Sequence, residues 1–428
     1  MSFRDFVPVI YNLFPRHLGP IDAWSAVIPH VREMSFNAVF VNPFHETGFS
    51  GSLYAIKNYF RLNTLFLRKG QDPADFAPIK KFSRDCRDAR LDLIMDLVIN
   101  HTAADSPLIR EHPAWYKRDP SGEVAHPYAV DPDDPGKVTV WGDLASIDNE
   151  HSNDRQNLWN YWDRLVVFYQ EMGIRGFRCD AAYQVPAALW QWLIGRAKNR
   201  FPDSLFYAET LGCRLDQAQA LQGSGFDFLF NSVKWWNGDA SWALDQHAAY
   251  KPVAPSIAFA ESHDTERLAS VHPGTEAVQK GKYAFAAFFS QGLLMTAGFE
   301  YGAVTRMDVV RGTPSDIDGK KWDLTKWIGR INELKLREPV LGEEGSWTTL
   351  CEYGQPYLFL KKTSDRGSRP VYVCFNKNAT ECVTVDTPGI PHEVRQCRKS
   401  LQVMTEPIIE DEVPEAFLLD PAEIVLFM

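Results

Sequence analysis

Four short stretches of the chain end an apolar run in side chains able to carry charge or move a proton. "MDLVINH" closes with Asp96, Asn100 and His101, and "GFRCD" with Arg178 and Asp180. "SLFYAE" closes with Glu209, and "FAESHD" with His263 and Asp264. Alternate side chains of a strand share one face, so Ile174, Gly176, Arg178 and Asp180 point the same way. A charge pair there costs desolvation and gives weak support to stability, which directs attention to chemistry. Two carboxyls about 5 Å apart, one nucleophilic and one proton-donating, cleave a glycosidic bond with retention. Asp180 fits the nucleophile, because a neighbouring cation such as Arg178 favours the ionised carboxylate. Glu209 fits the acid, because the apolar and aromatic "LFYA" before it desolvates the carboxyl and raises its pKa. Asp264 is then a third carboxylate that binds sugar hydroxyls and favours the oxocarbenium-like state, the histidines adding hydrogen bonds. Singly, each has a plainer reading: Asp96 as a partner of nearby backbone, His101 as a core histidine, a strand-end Asp as a cap. Together they fit one chemistry.

Such groups converge only if the strands ending in them lie side by side and point the same way. From the start to about residue 338 the chain passes repeatedly from a short apolar run to a helical pattern. "FVPVIYNLF" precedes "IDAWSAVIPHVREM", which is expected as a helix, and "NAVFVNPF" follows. "NLWNYWDRLVVFYQEM" carries Trp162, Leu165, Val166 and Tyr169 on one helical face, and Gly173 is expected to end that helix. Eight apolar strands separated by helices predict an α/β fold, a (β/α)₈ TIM barrel, whose catalytic groups sit at the C-terminal strand ends. No GxGxxG or P-loop is present. The predicted barrel occupies residues 1–101 and 149–338. The Pro-, Asp- and Gly-rich residues 102–148 are too many for an ordinary connection and predict an excursion domain after the third strand. Residues 339–428 alternate in short runs such as "PVYVCFN" and "AEIVLFM", predicting a C-terminal antiparallel β-sandwich.

The formal charge of −10 argues against nucleic acid or an anionic membrane as the main partner, and suits an uncharged polar substrate. Seven cysteines without a CxxC pair predict reduced thiols, neither a disulfide framework nor a zinc site. With no signal peptide or membrane-length apolar run in the sequence, a cytoplasmic setting is expected.

"DLVINH", "GFRCDAA", the "AE" after the fifth strand and "ESHD" resemble the four conserved regions of the α-amylase family, glycoside hydrolase family 13. "VIYNLFPR", "NAVFVNPF" and "LMTAGFEYG" resemble its first, second and eighth strands. The resemblance implies that Asp180 is the nucleophile, Glu209 the acid/base and Asp264 the transition-state stabiliser. It places Arg178, His101 and His263 around the sugar at the cleavage point. It also likens Tyr54 of "SLYAIKNYF" to the aromatic under that sugar, and Asp96 to a supporting aspartate that does not react. No cofactor is expected to be required. Calcium is the alternative, since Asn100 matches a common ligand position of the family. Asn58 stands where the family usually has Asp, and Tyr183-Gln184 where many amylases have Lys-His. "EHPAWYKRDPSGEV", "WQWLIGRAKNRFPDSLFYAET" and "FDFLFNSVKWWN" are similar to bacterial maltosyltransferases that use maltose 1-phosphate. Those enzymes typically carry Asn after the nucleophile, where this chain has Ala181.

The expected function is a retaining α-glycosidase or transglycosylase on α-1,4-linked glucans or maltooligosaccharides. The alternatives are maltosyl transfer from maltose 1-phosphate, with Lys234 or Arg214 near Glu209, and an inactive carbohydrate-binding protein. The run "KWWNGDASW", with Trp235, Trp236 and Trp242, is expected to pack first and to offer an acceptor platform second.

Overall fold

Eight short strands pair side by side, all parallel, and close into a barrel. They are β1 (Val9–Leu13), β2 (Ala38–Val41), β3 (Asp92–Leu97), β4 (Gly176–Cys179), β5 (Leu205–Ala208), β6 (Phe228–Phe230), β7 (Ser256–Phe259) and β8 (Gly292–Thr296). Each strand neighbours the next in sequence and β8 returns to β1, the (β/α)₈ arrangement that the alternation of runs predicts. A computed structural model of the chain describes residues 6–130, 134, 136 and 138–428. Residues 1–5, 131–133, 135 and 137, assigned above to the barrel and the excursion segment, lie outside the described residues.

Alternation along the strands separates two cores. Ile10, Phe40, Ile94, Tyr207, Phe230 and Phe259 belong to the cluster that fills the lumen. Val9, Val39, Leu93, Phe177 and Phe206 belong to the cluster shared with the surrounding helices. Gly176 faces inward, and a Cβ there would lie 2.4 Å from Ile94 Cγ1 and 3.0 Å from Ile94 Cα. The missing side chain lets Ile94 fill the lumen one layer below Arg178. Gly176→Ala should therefore destabilise the protein by about 1–3 kcal/mol through overpacking. The measurement is urea unfolding, with a lower midpoint at unchanged slope expected; an unmoved midpoint would show that β4 shifts without cost.

The helix Arg155–Glu171 buries Trp162, Leu165, Val166 and Tyr169, and Gly173 follows it at φ 93°, as a C′ glycine should. "IDAWSAVIPHVREM" departs from the single helix expected: a 3₁₀ stretch, Ile21–Val27, precedes an α-helix, Ile28–Glu33. Pro29 lacks the N–H that would bond back to Ser25, so α geometry restarts with proline in its first turn. Beyond β3, His101–Ala103 pairs antiparallel with Leu144–Ser146, and Tyr128–Val130 with Val138–Val140.

The C-terminal strands form a six-stranded antiparallel sheet and a separate pair, Val383–Val385 with Phe417–Leu419. Phe359, Cys374 and Phe427 of the large sheet share a core with Val385 and Leu419 of the pair, giving a β-sandwich with one small layer. Where this sandwich meets the barrel, two buried lysines close the helix Glu276–Phe289. Lys335 Nζ donates to the carbonyls of Ala287, Ser290 and Leu341, and Lys362 Nζ to those of Phe288 and Phe289. Helix C-terminal carbonyls lack backbone partners and favour cations. All seven cysteines are free. Among the described residues no helix is long and apolar enough to cross a membrane.

Candidate active site

Register brings the first charges together. Asp96 of β3 is the direct neighbour of Arg178 on β4, so strand alternation turns both into the C-terminal end of the lumen. Arg178 Nη1 donates to Asp96 Oδ1 at 2.9 Å and to Asp180 Oδ1 at 2.7 Å. Burial opposes the Arg178 charge, but Asp96, Tyr54 and Asp180 carry its pKa well above the ordinary value. Burial pushes the Asp96 carboxyl up to about 7, against the pull of Arg178.

Tyr54 enters from the connection between β2 and β3. Its hydroxyl donates to Asp96 Oδ2 at 2.6 Å and stands 2.7 Å from His263 Nε2. Asn42 Nδ2 donates to the same hydroxyl at 2.9 Å, and Asn12 Nδ2 donates to Asn42 Oδ1 at 2.8 Å. Since the one hydroxyl proton goes to Asp96, Tyr54 accepts from His263, which assigns the imidazole proton to Nε2. The two rings lie parallel, 5.5 Å apart at 5°. His101 Nε2 is 3.2 Å from the Tyr54 carbonyl oxygen. Burial lowers the pKa of both His101 and His263, so the imidazoles are neutral at pH 7.

Glu209 follows β5 and lies 8% exposed. Its Oε2 accepts from the Ala181 N–H at 2.8 Å and its Oε1 from the Leu211 N–H at 2.5 Å. Ala181 adopts the left-handed region (φ 40°, ψ 50°), unfavourable for an L-residue with a Cβ. That conformation points the amide next to Asp180 at the Glu209 carboxylate, tying the ends of β4 and β5 together. Burial pushes the Glu209 pKa up to about 7, with Arg178 opposing and Asp180 and Asp264 reinforcing. Asp264 completes the group, its Oδ2 3.1 Å from His263 Nε2. The Asp180 side chain is 14% exposed and that of Asp264 53%, so the carboxylates step from the supporting Asp96 outward to solvent. A cavity of about 480 Å³ lies beside His263 and Asp264, lined also by Arg306, Asp308 and Arg311.

All eight site residues expected from the sequence therefore stand at one mouth, and two sets of supporting residues were missed. Asn42 holds the Tyr54 hydroxyl and Asn12 in turn holds Asn42; Asn42 directly follows β2 just as Asp96 nearly ends β3, the signal that would have found it. Glu261 accepts from Arg267 Nη1 at 2.7 Å, Thr296 Oγ1 at 2.8 Å and the Leu268 N–H at 2.7 Å, clamping the loop that carries His263 and Asp264 to β8. Arg214 turns to solvent in a bidentate pair with Asp216. Asn58 Oδ1 accepts from the Phe60 N–H at 2.9 Å within its own strand. Asn100 Oδ1 is buried without a hydrogen-bond partner among the described residues. No group of three or more His, Cys, Asp or Glu among the described residues is placed to hold a metal ion.

The family model for the glucanotransferase domain of glycogen debranching enzyme matches residues 9–122. The α-1,4-glucan:maltose-1-phosphate maltosyltransferase of Burkholderia pseudomallei is 24% identical over 368 residues, 83% of this chain and 31% of the relative. That of Mycolicibacterium smegmatis is 25% identical over 380 residues, 77% of this chain and 51% of the relative. The chain thus spans about a third to a half of the length of these curated relatives. An α-amylase from Lactobacillus plantarum superposes with a TM-score of 0.76 at 19% identity, covering 99% of both chains. A maltogenic α-amylase from Thermotoga neapolitana gives 0.75 at 21% identity, covering 100% of both.

Proposed function

We propose that this chain, whose homologues are maltosyltransferases and whose fold is that of the α-amylases, is a retaining enzyme acting on α-1,4-linked glucans or maltooligosaccharides. The observation that carries this reading is the pairing of Asp180, held by Arg178, with a buried Glu209 whose pKa is pushed up to about 7. Asp180 attacks the anomeric carbon while Glu209 protonates the leaving oxygen, giving a glycosyl-Asp180 ester. Glu209, now a carboxylate, then takes a proton from the water or sugar hydroxyl that resolves it. Tyr54, parallel to His263, offers a ring to the sugar undergoing cleavage, with His101 and His263 as neutral hydrogen-bonding groups. Asp264, the most exposed of the carboxylates, reaches the sugar hydroxyls. Asp96 orients Arg178 and Tyr54 without reacting. No organic cofactor enters this chemistry.

A second reading, favoured by relatives that are maltose-1-phosphate maltosyltransferases, has phosphate as the leaving group of a maltosyl donor. The complete carboxylate set counts against an inactive binding protein. We assign residues 1–101 and 149–338 to the catalytic barrel, 102–148 to the excursion domain and 339–428 to the sandwich. The seven free cysteines support a cytoplasmic setting.

The test is incubation with maltooligosaccharides, with and without inorganic phosphate or maltose 1-phosphate, followed by chromatography of the products. Shortened sugars indicate hydrolysis, redistributed lengths indicate transfer, and a phosphate requirement selects the second reading. A folded protein that converts none of these substrates would refute the assignment.

A further inference from the structure

Tyr11 and Leu13 alternate with the lumen-facing Ile10, so they point out of the barrel wall, and the Tyr11 ring meets His30 of the helix Ile28–Glu33. A cavity of about 250 Å³ lies on this outer side, bounded by Tyr11, His17, Val27, His30, Gly298 and Lys320. It shares no lining residue with the cavities at the catalytic mouth. His17 is the anomaly there. It is 4% exposed, yet neither ring nitrogen has a hydrogen-bond partner among the described residues. Asp316 Oδ2, 3.8 Å from His17 Nε2, is too far to serve. Burial and the Arg267 charge push the His17 pKa down to about 4, so at pH 7 the ring is neutral, with one N–H and one bare nitrogen. Arg267 Nη2 is a second buried group without a partner, and a Cβ on Gly298 would stand 3.4 Å from it. Buried polar groups are nearly always bonded, so two such groups beside one cavity point to a ligand that completes them.

The charges around the cavity select the ligand's class. Glu300, buried in the wall, is already held by the Tyr11 hydroxyl at 2.8 Å, His30 Nε2 at 2.9 Å and the Gly298 N–H at 2.9 Å. Lys320 Nζ sits 3.6 Å from the centroid of the Tyr301 ring, and Asp318 lines the same cavity and offsets its charge. The wall therefore asks for neither a cation nor an anion. A hydroxyl answers His17, because it donates to the bare nitrogen or accepts from the N–H. Leu13, Phe14, Leu18 and Ile317 add apolar surface for C–H groups. The volume falls below the range of about 300–1,000 Å³ that takes drug-sized ligands, which limits the occupant to a single ring. We infer that this cavity is a binding site for a neutral polyol of monosaccharide size, outside the catalytic mouth and independent of the reading under Proposed function.

The experiment titrates D-glucose into the histidine-labelled full chain and follows the imidazole resonances by NMR. The His17 signal is identified by its loss in His17→Phe and, independently, in His17→Gln. It should shift saturably at millimolar glucose and stay still when acetate replaces the sugar. Val27→Phe, which fills the cavity, should weaken that binding by about tenfold or more, the equivalent of losing one buried hydrogen bond. His101 and His263 report the catalytic mouth in the same spectra. A His17 signal unmoved by glucose in the wild-type protein would overturn the site, as would acetate binding there more tightly than glucose or unchanged affinity in a folded Val27→Phe. Shifts confined to His101 and His263 would remove this site and leave the retaining mechanism standing.

Discussion

Asp180→Ala lowers turnover of maltooligosaccharides by about 10⁴-fold or more, because no neighbouring group can form the covalent intermediate in its place. Asp96 is the other carboxylate on Arg178, but it is fully committed to Arg178 and the Tyr54 hydroxyl and does not reach the open part of the mouth. Asp264 is open but belongs to β7 and to His263. The fold should survive, since Arg178 keeps its bond to Asp96 and the side chain removed is partly solvated. Steady-state rates with product chromatography measure the loss, and circular dichroism checks folding. Turnover surviving within tenfold of wild type in a folded variant would eliminate Asp180 as nucleophile.

Glu209→Gln should cost about 10²–10⁴-fold, the range for removing a general acid–base group, and should also change the pH profile. A general acid works protonated, so wild-type kcat/KM should fall as pH rises through about 7, the value to which burial pushes this carboxyl. The amide that replaces the carboxyl does not titrate, so the variant's residual activity should lack that limb. A substrate with a fluoride leaving group, which needs little proton assistance, should recover much of the first step. Stability depends on the same proton. A carboxyl whose folded pKa lies above its unfolded value has a deprotonation cost that is absent below the unfolded pKa and complete above the folded one. Relative to wild type, Glu209→Gln should therefore gain stability as pH rises from about 4.5 to about 7. An unaltered alkaline limb in the variant would transfer the acid role to another group.

Much of this site is legible in the chain because strand periodicity is local. "GFRCD" and "MDLVINH" specify which side chains share a face, and a TIM barrel places those faces at one mouth. The helical periods of Trp162 to Tyr169 and the glycine after them are equally local. The helix around Pro29 departs from expectation because apolar spacing does not register a missing N–H, whereas in the folded chain the hydrogen bond decides. Asn42 and Glu261 also stand just past strand ends, but each acts on a neighbour of the reaction and not on the reaction itself, so residue type alone does not single them out.

The residue types and their strand-end positions, which determine the carboxylate chemistry proposed for this protein, are properties of the sequence by itself. Tertiary structure alone decided which partners they meet, because the bonds that matter join residues far apart in the chain. Arg178 finds Asp96 through the β3–β4 register, and Tyr54 finds His263 from the opposite side of the barrel. Ala181 takes a left-handed conformation that its own side chain disfavours, held where its amide meets Glu209. Two lysines lie buried because a helix end needs their donors. Of two adjacent tryptophans, one is packed and one is open because only Trp236 faces the rings of the helix Glu276–Phe289.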